Sequence, residues 1–86
     1  VSREENPEMT ALPDMTDIEM AASDAAADAL SLPHGNREEA EALAQNAAYR
    51  AARKSGASPL AAAVLSQKVV AEMLGGWEAM GRLILN

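Results

Sequence analysis

A chain of 86 residues with a formal charge of −6 and no cysteine makes one small domain, and its composition excludes disulfides, thiolate nucleophiles and cysteine-based zinc sites. Twenty residues are alanine, Phe is absent and Tyr49 and Trp77 are the only aromatics, so helices form readily, while each buried methyl adds little at about 25 cal/mol per Å². Residues 1–45 hold eleven Asp/Glu against Arg3 and Arg37 (net −9) and residues 46–86 five Lys/Arg against Glu72 and Glu78 (net +3), which is not the dominant basic footprint of a nucleic-acid binder.

Residues 1–14, polar and carrying Pro7 and Pro13, read as a flexible acidic arm ahead of a single helical domain over 15–86. Thr16 followed by Glu19 has the form of a capping box, with Met15 and Met20 placed as a hydrophobic staple, so a first helix is expected over 17–32. Its apolar stripe would be Ile18, Ala22, Ala25, Ala29 and Leu32, with Asp17, Asp24 and Asp28 largely off it. Pro33 and Gly35 then stop it.

Asn36 is a good N-cap for a second helix over 37–55. Glu38, Glu39 and Glu41 near its start and Arg50, Arg53 and Lys54 near its end complement the helix dipole. Gly56 closes it. The inner face expected from the spacing is Ala40, Leu43, Ala44, Ala47 and Ala51, with Tyr49 on a flank.

Ser58 as N-cap and Pro59 at the first helical position open a third helix over 59–74. Leu60, Val64, Leu65, Val69, Val70, Met73 and Leu74 surround most of it, and a helix apolar nearly all round belongs at the centre of a fold or in an interface. Leu60, Val64, Val69, Val70 and Met73 are therefore expected in the core or in a self-association seam. After a break at Gly75 and Gly76, WEAMGRLIL suits a short fourth helix over 77–85. The expected fold is all-α: a three-helix bundle plus a short C-terminal helix, as a monomer or an interlocked dimer.

Chemistry is sparse. His34 is the only histidine and sits in a Pro/Gly turn, where a solvent-facing side chain is the ordinary outcome. No nucleophile, base and orienting group assemble around it. The carboxylates follow neither EF-hand spacing nor a Glu-x-x-His pattern, and no glycine-rich phosphate loop is present. Neither an enzyme, nor a cofactor, nor a metal site is expected.

Two alternatives rest on the C-terminal stretch. Residues 66–85 have the general look of a helix-turn-helix DNA reader turning at Gly75–Gly76, but the second helix offers only Glu78 and Arg82 as charged contacts. Arg50, Arg53, Lys54 and Arg82 would be its nucleic-acid contacts, and this reading is disfavoured. The same glycines, with Leu65, Val70 and Met73 behind them, resemble the double-glycine leader of exported bacterial peptides, with cleavage after Gly76.

The leading expectation is a non-catalytic interaction protein, an adaptor, inhibitor or assembly factor, that binds a protein partner or a second copy of itself. Its anchors would be Trp77, Met80, Leu83, Ile84 and Leu85, since large apolar side chains dominate interface energy. The N-terminus lacks the layout of a secretory signal and no 18-residue apolar run spans a membrane, so no membrane partner is expected and a cytoplasmic location is the default. Val1, where Met is expected, points to a processed, truncated or alternatively started chain.

Overall fold

A computed structural model describes residues 15–85, so the expected N-terminal arm lies outside the described residues. It contains three helices: α1 (Met15–Leu30), α2 (Arg37–Lys54) and α3 (Pro59–Met80). The loops at 31–36 and 55–58 are short, so consecutive helices are antiparallel neighbours and α1 and α3 run the same way. α1 packs mainly on α2, and α3 packs against both. The all-α architecture expected from the sequence is present.

The ends of α2 and α3 are set by local chemistry. The Glu39 N–H donates to Asn36 Oδ1 at 2.7 Å, and Glu39 Oε1 accepts from the Gly35 N–H at 2.9 Å. This reciprocal pair is close to a capping box, displaced by one residue on its return arm. Ser58 Oγ accepts from the Ala61 N–H at 3.2 Å, with Pro59 opening α3 as its missing donor permits. α1 begins at Met15, two residues ahead of the expected start, and ends at Leu30, two residues early. Met15 and Met20, placed as a staple, are both exposed.

The α1–α2 contact is built on strict four-residue steps. Ile18, Ala22, Ala26 and Leu30 face Ala40, Ala44, Ala48 and Ala52, and all eight are buried. Such rows are the ridges of four-residue spacing that interdigitate between packed helices, and one-carbon side chains let the two backbones approach closely. The expected stripes agree at Ile18, Ala22, Ala40 and Ala44. They then slip by one residue, naming Ala25 and Ala29, Ala47 and Ala51, each half-buried, in place of their buried successors.

Leu32 and Leu43, expected inside, are exposed. Leu32 follows the end of α1 and loses the helical phase, while the four-residue ridge of α2 passes from Ala40 to Ala44 and leaves Leu43 beside it. In α3 the buried set is Ala62, Leu65, Ser66, Val69, Val70 and Leu74. Ser66 satisfies its hydroxyl by donating to Ala63 O at 2.9 Å. Val69 and Val70 are core as expected and Met73 packs on its edge, but Leu60 is 75% exposed and Val64 58%. Those two lie on the outward side of α3, which α1 and α2 do not cover.

The greatest departure is at the glycines. α3 runs without interruption through Gly75 and Gly76 to Met80, where Gly81, at φ 72°, forms a left-handed C-cap. Two glycines cost a helix interior about 1 kcal/mol each relative to alanine. Leu74, Trp77 and Leu83 packing on the core accompanies that continuation. The expected break at 75–76 and the separate helix over 77–85 are thus replaced by a longer α3 and a short non-helical tail. Gly81 N–H and Arg82 N–H bond back to Glu78 O (3.2 Å) and Trp77 O (2.9 Å), closing the helix as a Schellman-type turn.

A candidate interaction surface at the end of the bundle

The tail after Gly81 turns back onto the α1–α2 loop. His34 N–H donates to Ile84 O at 3.2 Å, and His34 and Leu85 form an isolated parallel bridge. One exposed ion pair, Arg37 Nε to Glu78 Oε2 at 3.1 Å, ties the start of α2 to the end of α3 nearby. At such exposure it contributes at most about 1 kcal/mol.

The anchor for this arrangement is His34, which is 1% exposed rather than solvent-facing. Its Nε2 lies 2.7 Å from Ala29 O, a carbonyl in the last turn of α1 whose residue four further on is Pro33, without an N–H, and which also accepts from the Leu32 N–H at 3.2 Å. A carbonyl only accepts, so Nε2 carries the hydrogen and donates. Nδ1 is buried without a hydrogen-bond partner. Ser31 helps close the same helix end, its hydroxyl donating to Ala27 O at 2.9 Å and Asp28 O at 3.1 Å. The sequence signal that could have found His34 was its position five residues beyond Ala29, just past the end of a helix with free carbonyls.

The five expected anchors divide into two groups. Trp77 and Leu83 are half-buried and pack against the core. Met80, Ile84 and Leu85 are exposed, Met80 by 65%. The His34–Ile84 pairing brings Ile84 and Leu85 to the same end of the bundle as the exposed Leu32, two residues before His34. Leu32, Met80, Ile84 and Leu85 are thus the exposed apolar residues toward this end of the bundle, where Arg37 and Glu78 pair and Arg82 precedes the tail. Only Met80 of these three exposed anchors is helical, so they do not form the helix-in-groove spacing that a fourth helix would have provided.

The candidate nucleic-acid contacts are not brought together. Arg50, Arg53 and Lys54 lie in the C-terminal part of α2, and Arg82 lies by its start. Arg37 and Arg50 are thirteen residues apart, about 20 Å at 1.5 Å per residue. Arg53 also donates from Nη1 to Ala57 O at 2.9 Å, closing the α2–α3 loop. Among the described residues no group of three or more His, Asp or Glu is placed to hold a metal ion, and no helix is long and apolar enough to cross a membrane. No protein-family model, curated protein or solved structure matches the chain.

Proposed function

We propose that this chain is a non-catalytic interaction module that holds a protein partner against the apolar end of its bundle. The observation that supports this is that Leu32, Met80, Ile84 and Leu85 are all exposed, with the His34–Ile84 hydrogen bond fixing Ile84 and Leu85 beside the loop that carries Leu32. Clustered exposed apolar side chains rimmed by charge are the usual form of a protein-binding surface. Trp77 and Leu83, half-buried and packed against the core, belong to the fold rather than to this exposed set.

The partner offers a complementary apolar surface of its own, and the charged rim sets the orientation of docking. A copy carrying a photoreactive methionine analogue at position 80 should yield a defined adduct in an extract of its native cells. Leu85→Asp should remove that adduct while leaving the helical content unchanged. An adduct that survives Leu85→Asp and Ile84→Asp, or the lack of any adduct, overturns the reading.

The DNA-reading alternative finds less support. A helix-turn-helix needs its turn at Gly75–Gly76, where α3 is continuous, and its cations sit at opposite ends of α2. A leader reading places the cut after Gly76 inside the same helix, which a protease must first unwind.

A further inference from the structure

The end of the bundle opposite His34 also leaves apolar and charged groups open. The start of α1, the end of α2 and the start of α3 meet there, because consecutive helices are antiparallel. Met15, Leu60 and Val64 are exposed on it, and so are Arg50, Arg53 and Lys54. The ion pairs among the described residues, Arg37–Glu78 and Lys68–Glu19, include none of these three cations. Arg53, donating from Nη1 to Ala57 O at 2.9 Å, stands beside the loop that leads into Leu60.

One ion pair fixes where the chain enters this end. Lys68 Nζ lies 3.9 Å from Glu19 Oε2, which sets those residues side by side on two helices that run the same way. Four residues back on each helix, Met15 comes level with Val64, and Leu60 lies four residues beyond, about 6 Å at 1.5 Å per residue. With the axes about 8–10 Å apart, Leu60 is about 11 Å from Met15. Extended chain covers that distance in three or four residues at about 3.3 Å each, and Leu12 is three residues ahead of Met15.

The stretch ahead of α1, VSREENPEMTALPD, has the composition that would complement this end. Glu4, Glu5, Glu8 and Asp14 against Arg3 give a net −3, and Arg50, Arg53 and Lys54 sum to +3. The order matches as well. Counting back from Met15, Leu12 and Met9 come first, as Val64 and Leu60 do on α3, and Glu8, Glu5 and Glu4 follow, as Arg53 does beside Ala57.

We propose that residues 1–14 fold back as a strap over this end of their own chain, with Leu12 and Met9 on Leu60 and Val64, and Glu4, Glu5 and Glu8 facing Arg50, Arg53 and Lys54. A tethered segment is favoured over a separate molecule because a short link holds it at an effective concentration of about millimolar. The strap covers one apolar end and leaves the His34 end to the partner proposed above.

The chain has no cysteine, so Thr10→Cys takes a single nitroxide label. Paramagnetic broadening of the Leu60 and Val64 methyl signals in the full chain reads the docking, and those of Ile84 and Leu85 at the opposite end should not change. Because the tether alone brings the label near, the deciding comparison adds Met9→Ser and Leu12→Ser, which should cut the broadening by about threefold or more as the docked population falls. Glu4→Lys, Glu5→Lys and Glu8→Lys together should act in the same direction, by placing like charges opposite Arg50, Arg53 and Lys54.

A mixture of spin-labelled chain with isotope-enriched, unlabelled chain should show no broadening. Broadening in that mixture assigns the contact to a second copy and overturns the proposal. So does broadening that survives either set of substitutions, or none at Leu60 and Val64, which leaves this end to another molecule.

Discussion

The imidazole of His34 donates from Nε2 to the carbonyl oxygen of Ala29 at 2.7 Å, from a residue that is 1% exposed. One side chain thereby caps α1 and, through its own backbone N–H, fastens the C-terminal tail at Ile84. A residue outside every helix holds three segments together.

His34→Ala should therefore destabilise the fold by about 2–4 kcal/mol, combining a cavity with the loss of the shorter of the two hydrogen bonds that Ala29 O accepts, the other coming from the Leu32 N–H. That is a large share of the total for so small a domain. Urea unfolding followed by circular dichroism measures it. His34→Gln, which keeps a donor on a side chain of similar reach, should recover part of the loss.

Ala44 and Ala48 are fully buried in the α1–α2 contact, where the spacing of the helices is set by single methyl groups. Ala44→Leu should force α1 and α2 apart and cost about 1–3 kcal/mol or more through overpacking. A broadened urea transition and increased Trp77 exposure to quencher would show it. The same change at Ala42, which is exposed, should be nearly neutral.

Gly76 and Gly81 should respond in opposite directions to alanine. Gly76 is helical with open space around it, so Gly76→Ala should stabilise α3 by about 0.5–1 kcal/mol. Gly81 holds φ 72°, a left-handed conformation that costs an L-residue about 1–2 kcal/mol. Gly81→Ala should lower stability by about 1 kcal/mol and loosen the tail behind it. Thermal melts of the two variants side by side make the comparison.

Trp77 and Ile84 should separate folding from binding. Trp77 packs on the core, so Trp77→Ala should reduce stability by about 3–5 kcal/mol if its buried part approaches full burial, and by less in proportion to its exposure. Ile84→Asp, on an exposed side chain, should shift stability by no more than about 0.5 kcal/mol while abolishing partner adducts. Chemical denaturation and the photo-crosslinking assay give the two readouts.

The helices were legible in the chain because their signals are local. Asn36, Glu39, Ser58 and Pro59 bond or constrain backbone within four residues of themselves, and each marks its helix start in the sequence as it does in space. Alanine's helix preference likewise needs no distant partner. The all-α class followed from those signals, and so did the burial of Val69, Val70, Ala40 and Ala44.

Other features depended on contacts between segments far apart in the chain. Alanine stands at both 25 and 26, 47 and 48, and 51 and 52, so composition alone could not say which of each pair faces the neighbouring helix. The choice came from interdigitating four-residue ridges across α1 and α2. Gly75 and Gly76 read locally as a break, yet α3 continues through them to the core-packed Trp77. His34 read as a surface residue, because the groups that bury it belong to the end of α1 and to a tail fifty residues away, and only their meeting supplies both the hydrogen-bond acceptor and the cover.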